Sequence, residues 1–208
     1  MINIDTLVVG ALGTNCYIVG DDAADAVVAV DPGGEAERIL SHIEQTGKRL
    51  EAILITHGHV DHVAAAARVS TETGAPIHAH PADGFMMERP DPMWAQMVGG
   101  VPPCSVDVEL ADGDVLKLAG LSLTVIGTPG HSPGGVCLLT GDTLFSGDTL
   151  FEGSIGRTDL PGSDTAQMAG SLGRLMNDLA DNVDVYPGHG EGTTIGEERR
   201  SNPFLQGM

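Results

Sequence analysis

The sequence predicts an α/β (α+β) protein in which two β-sheets pack face to face between outer layers of helix. Three observations carry this expectation. Short apolar runs rich in Val and Ile, bounded by Gly, Pro and Asp turns, occur in both halves of the chain. Each half also holds stretches with apolar residues at helical spacing. The two halves share a loose order: strands, then an apolar strand ending in a histidine loop, then helix. Elements of this kind bury their apolar faces by stacking in layers.

Residues 2–9, 15–19 and 26–30 read as strands separated by Gly-Ala-Leu-Gly and Gly-Asp-Asp turns. Asp31-Pro32-Gly33-Gly34 ends the third strand abruptly. Asp31 either starts that turn or orients a metal-binding histidine. Residues 35–46 read as a helix with Ala36, Ile39, Leu40 and Ile43 on one face and Gly47 as its stop. Ile53–Ile55 is a fully apolar strand, and residues 62–73 a helix ending at Gly74. His78 and His80 share one face of the strand Ile77–Pro81 and read as structural or supporting. The segment 84–103 holds four of the eight methionines and the only tryptophan amid Pro and Gly breaks. Such adaptable apolar surface lines a substrate mouth or packs as a short helix over the domain edge. Further on, Ala111-Asp112-Gly113-Asp114 is a hairpin turn, and 115–118, 121–126 and 136–139 are strands. Residues 164–180 form a helix with an apolar stripe, 183–186 a last strand and 194–200 a last helix. With no linker or strong repeat, residues 1–208 read as a single domain.

Composition narrows the partners. Acidic residues number 29 against 10 basic ones, a formal charge of −19. Phosphate backbones and anionic membrane surfaces would be repelled, so neither nucleic acid nor membrane is expected. Cys16, Cys104 and Cys137 are widely spaced and form no CxxC pair. Cys16 and Cys137 sit in apolar runs as small hydrophobes. No signal peptide or membrane-length apolar run is seen, and a cytoplasmic protein is expected.

The chemistry centres on Thr56-His57-Gly58-His59-Val60-Asp61-His62. Imidazole and carboxylate bind zinc and similar divalent ions. His57 and His59 share one side of an extended segment, whereas Asp61 and His62 fall where the chain turns into helix. Two adjacent metal positions follow better than one; the plain alternative is a histidine-rich turn in solvent. Three further strand ends carry metal-competent side chains: His131 in Thr128–Gly135, Asp148 after Leu144-Phe145-Ser146-Gly147, and His189 in Tyr186-Pro187-Gly188-His189-Gly190. Asp142, in a similar Gly-Asp-Thr-Leu-Phe string, falls between two short strands and suits a hairpin turn, so Asp148 is the candidate.

Five His and two Asp at strand ends resemble the metallo-β-lactamase superfamily, whose HxHxDH motif matches His57, His59, Asp61 and His62. The resemblance spans nearly the whole chain. It implies a four-layer αββα sandwich with two divalent metal ions, zinc foremost and iron or manganese as alternatives. His57, His59 and His131 would hold one ion and Asp61, His62 and His189 the other, with Asp148 bridging. The strings Leu144–Phe151, Gly153–Asp159 and Tyr186–Gly190 resemble glyoxalase II (hydroxyacylglutathione hydrolase), in a short form without the usual C-terminal helical extension. That resemblance implies hydrolysis of a small-molecule thioester of the S-lactoylglutathione type by a metal-bridging hydroxide. Asp61 would orient the nucleophile, and Arg157 matches a position that contacts the thiol carrier. Asp31 and Ser132 are candidate supporting residues.

The alternative is an iron-dependent persulfide dioxygenase, which binds one iron through positions matching His57, His131 and Asp148 and shares the Arg157-Thr158-Asp159 string. Tyr186-Pro187-Gly188-His189-Gly190-Glu191 favours the hydrolase. A non-catalytic metal-binding protein is a third reading.

Overall fold

A computed structural model describes residues 1–206. Its centre is a pair of six-stranded sheets. The first runs β1 (Ile2–Val9), β2 (Thr14–Asp21), β3 (Ala26–Val30), β4 (Arg49–Leu54), β5 (Ile77–Ala79) and β6 (Val108–Glu109) in spatial as well as chain order. Strands β1 to β3 pair antiparallel and β3 to β6 parallel. The parallel steps require crossovers. Helix α1 (Ala36–Thr46) supplies the one between β3 and β4, and α2 (Val60–Val63) with α3 (Ala66–Thr73) the one between β4 and β5.

The second sheet contains β7 (Val115–Leu118), β8 (Leu121–Gly127), β9 (Val136–Thr140) and β10 (Thr143–Gly147) as an antiparallel meander. Strand β13 (Asp184–Pro187) then joins β10 in parallel after the crossover helix α6 (Thr165–Asp178), and β14 (Thr193–Thr194) closes that edge. A small hairpin, β11 (Leu150–Phe151) and β12 (Ser154–Ile155), stands apart. Helix α7 (Ile195–Ser201) follows β14.

Side chains alternate along each strand with period two, and here both faces are apolar. Val28, Val30 and Leu54 of the first sheet meet Leu123, Val125, Leu138 and Phe145 of the second. On the outer face of the first sheet, Val27, Ala29 and Ile53 pack against Ile39, Ile43 and Val69 of the helices. On the far side, Ile126, Cys137 and Leu144 pack against Met168, Leu172 and Leu175 of α6 and Ile195 of α7. The order of layers is therefore αββα. Cys16 and Cys137 are buried hydrophobes.

Several expected boundaries move. The helix expected over 62–73 is two helices, because the amide of Ala65 donates to the carbonyl of Pro32 (2.9 Å) and leaves the helical ladder there. The strand expected over 77–81 stops at Ala79, and Pro81–Asp83 forms a 3₁₀ turn. His80 caps that turn, its Nδ1 accepting from the amide of Ala82 at 3.2 Å. His78 is buried in β5. The segment 84–103 forms two short helices, α4 (Gly84–Glu88) and α5 (Pro92–Met97). Met87 is fully buried in the core, while Phe85, Met86 and Trp94 line a cleft. No helix among the described residues is long and apolar enough to cross a membrane.

Candidate metal centre

All seven sequence-predicted ligand side chains converge where loops leave the ends of the two central sheets. The loop after β4 carries His57 and His59, and the short helix α2 carries Asp61 and His62. The β8–β9 loop carries His131, Asp148 follows β10, and His189 follows β13. Asp142 is exposed in the β9–β10 turn, away from this group.

Two clusters result. His57, His59 and His131 bring one ring nitrogen each within 4.8 Å of one another, and Asp61, His62 and His189 do the same with one ligand atom each. His59 Nδ1 and His131 Nε2 are 2.9 Å apart. His131 Nδ1 donates to the carbonyl of Arg157 at 2.8 Å, so its Nε2 keeps a lone pair turned toward His59. In the second cluster His189 Nε2 lies 3.1 Å from Asp61 Oδ2 and 3.3 Å from His62 Nε2. Asp148 stands between the clusters. Its Oδ2 is 3.5 Å from His131 Nε2 and 3.7 Å from His189 Nε2, and its Oδ1 is 3.4 Å from His62 Nε2.

Whether this arrangement fits metal ions can be tested on its polar atoms. Buried polar atoms are ordinarily hydrogen-bonded. His57 Nε2 and Asp148 Oδ1 are buried without a hydrogen-bond partner among the described residues. Both belong to the convergent set, one in the first cluster and one between the two. Orphaned ligand atoms within the convergent set, together with an all-imidazole and carboxylate donor set, suit divalent cations.

Electrostatics point the same way. Burial first, then the neighbouring imidazoles, hold His57 well below its ordinary pKa. Burial and His131 push His59 down to about 4. Both rings are thus neutral ligands at physiological pH. At Asp61 burial opposes ionisation, but His62 and His189 outweigh it and keep the carboxyl below its ordinary range. Burial likewise opposes the charged form of His62, yet Asp148, Asp61 and Asp31 together raise it. A cation placed among these carboxylates would take over that stabilising role from the imidazolium, with release of its proton.

Supporting residues lock the ligands. Asp31, fully buried with φ of 49°, accepts from His62 Nδ1 at 2.9 Å, from the Thr56 amide at 2.7 Å and from Thr56 Oγ1 at 2.6 Å. Of its two sequence readings, the histidine-orienting one describes these contacts, with the turn made at the same place. Ser132 donates to Asp83 Oδ2 at 2.7 Å. Asp83 was not among the residues singled out from the sequence. Buried, it also accepts from the amides of Gly58 (2.9 Å) and Gly134 (2.6 Å), tying the His57–His59 loop to the His131 loop. Asn15 holds the His189 loop through the carbonyls of Pro187 and Gly190, each at 3.0 Å. Gly188 is required by close approach: a Cβ there would run into Asp148 and His62.

Above the ligands lies a cleft of about 940 Å³. His59, Asp61, His131, Asp148 and His189 reach its surface. Phe85, Met86 and Trp94 form one apolar wall, and Phe151, Ile155 and Leu160 form another. Arg157 lines it too, with its guanidinium held by both oxygens of Asp159 at 2.8 Å each.

The sequence model of the metallo-beta-lactamase superfamily matches residues 9–189. Hydroxyacylglutathione hydrolase GloC of Haemophilus influenzae is 39% identical over 218 residues, covering 98% of each chain. Among solved structures, the BLEG-1 B3 metallo-beta-lactamase superposes with a TM-score of 0.89 at 34% identity, covering 99% of this chain and 100% of that one. TTHA1623 in a di-iron-bound form superposes with a TM-score of 0.86 at 40% identity, covering 97% and 100%. The chain belongs to the metallo-β-lactamase superfamily.

Proposed function

We propose that this protein is a two-metal thioester hydrolase acting on small substrates of the S-lactoylglutathione type. The observation that carries the reading is Asp148, whose two carboxylate oxygens face two separate three-residue clusters at the floor of one cleft. Similarity to GloC over the full chain supports the substrate class.

His57, His59 and His131 would hold one ion, Asp61, His62 and His189 the other, and Asp148 both. Two divalent ions so placed supply Lewis acidity and lower the pKa of water from about 16 toward about 7. Zinc is the metal we propose. Iron and manganese accept the same ligands, and the di-iron form of TTHA1623 makes iron the first alternative to load.

The chain's own groups set the rest. Asp61, fixed by Thr14 Oγ1 (3.3 Å) and His189, is placed to accept a hydrogen bond from the attacking water. The apolar cleft walls offer the acyl group a surface to pack on. A thiol leaves with a pKa near 8.5 and needs little help from an acid. That suits a cleft whose wall offers, besides the ligands, apolar groups, the weakly acidic hydroxyl of Ser154, two arginines and Asp91, the last serving as a helix cap.

A second reading is β-lactam hydrolysis, favoured by 34% identity to BLEG-1 over nearly the whole chain. An amine leaving group needs a proton that no dedicated donor in the cleft supplies, so the thioester is preferred. The test is hydrolysis of S-D-lactoylglutathione by metal-analysed protein, with a chelator-treated control, a β-lactam and glutathione persulfide run in parallel. Metal-dependent release of free thiol is expected. β-Lactam opening without thioester cleavage would replace the proposal by the second reading. Oxygen uptake on the persulfide with one bound iron would replace it by a dioxygenase using His57, His131 and Asp148.

A further inference from the structure

Two guanidinium groups line the cleft, and they are not equivalent. Arg157 is already neutralised by its two-point contact with Asp159. Arg89, in the joint between α4 and α5, makes no side-chain hydrogen bond or ion pair among the described residues. The other nine cations of the chain each have such a partner: for example Arg38 with Glu35, Arg49 with Glu51 and Arg174 with Asp112. In a chain with 29 acidic residues, a cation left without one stands out. The acid nearest in sequence, Asp91, turns Oδ1 to the amides of Met93 (2.9 Å) and Trp94 (3.2 Å) and caps α5 instead.

A planar guanidinium offers a donor fork that matches a carboxylate, and it does so best beside apolar surface that limits competing water. Arg89 has that surface in the Phe85, Met86 and Trp94 wall. Phosphate would also suit a guanidinium. A single unpaired cation in a chain of formal charge −19, however, favours a singly charged group over a polyphosphate arm.

We propose that Arg89 is a specificity-determining residue that binds a carboxylate on the non-reacting thiol arm of the substrate. This rests on the thioester reading and adds to it the chemistry by which the arm is chosen.

The test compares metal-loaded wild type with Arg89→Ala and Arg89→Lys on S-D-lactoylglutathione and on the same thioester with its carboxylates esterified. For Arg89→Ala, the kcat/KM preference for the free carboxylate should fall about 10-fold, through KM, and Arg89→Lys should restore part of it. Because Arg89 is exposed, folding is not at stake. A binding arm uses S-hexylglutathione, which is not hydrolysed, followed by the fluorescence of Trp94, the only tryptophan and itself on the cleft wall. Its Kd should weaken about 10-fold in Arg89→Ala and much less for the esterified ligand.

An unchanged preference in Arg89→Ala, or a loss confined to kcat, overturns the proposal. So does the absence of saturable binding by wild type, or a preference for a coenzyme A thioester over the carboxylate substrate. Arg89-dependent binding without turnover of any thioester would keep the carboxylate site while removing the hydrolase reading.

Discussion

Asp31 accepts a hydrogen bond from His62 Nδ1 at 2.9 Å, and the ring's Nε2 is thereby turned into the second cluster. A carboxylate behind a metal-binding imidazole fixes its tautomer and raises its basicity. Asp31→Ala should weaken metal binding at the second position about 10- to 100-fold. It also strips the Thr56 amide of its acceptor, which should cost roughly 1–3 kcal/mol of stability. Chelator competition and urea denaturation measure the two effects separately. Wild-type metal affinity in the variant would remove Asp31 from the site.

Asp83 is the other buried carboxylate that organises the centre, through Gly58, Ser132 and Gly134. Those three groups belong to the two loops that carry His57, His59 and His131. Asp83→Ala leaves two amides and a hydroxyl without their acceptor. A loss of about 2–4 kcal/mol is expected, at roughly 1–3 kcal/mol for a buried unsatisfied group with partial relaxation. Metal at the first position should weaken too. A denaturation midpoint equal to wild type would show that the loops hold without it.

The layers were legible in the sequence because both mechanisms that specify them are local. Unbroken apolar runs such as Val27–Val30 announce strands buried on both faces, and the stripe Ile39, Ile43 announces a helix facing one of them. The ligands were legible because His and Asp at apolar strand ends have few other uses. What escaped depends on partners distant in sequence. The break between α2 and α3 lies in an alanine run with no breaker residue, and a carbonyl at Pro32 makes it. Asp83 is engaged by residues 25, 49 and 51 positions away. Two-residue strands such as β6 and β11 carry too little pattern to read.

Gly188 has no side chain because Asp148 and His62 occupy the space one would need. Gly188→Ala must therefore displace the bridging candidate Asp148 and His62 of the second cluster. Turnover should fall at least ~100-fold, and overpacking should cost about 1–3 kcal/mol. The discriminating measurement is bound metal per chain by elemental analysis, expected to drop below the wild-type ratio. Full occupancy with normal turnover would mean that β13 shifts without consequence for the site.

Asp61 faces the cleft with its Oδ2 toward His189 and Thr14, and its side chain is partly exposed there. Removing it should therefore separate catalysis from folding. Asp61→Ala is expected to melt close to wild type yet to lose at least ~100-fold in turnover, because one ligand and the acceptor for the attacking water go together. His62→Ala should match it in turnover, but, as His62 is fully buried against Asp31, it should also lose stability. If either metal-loaded variant turned over substrate near the wild-type rate, His57, His59, His131 and Asp148 would suffice. The chemistry would then need only one metal position.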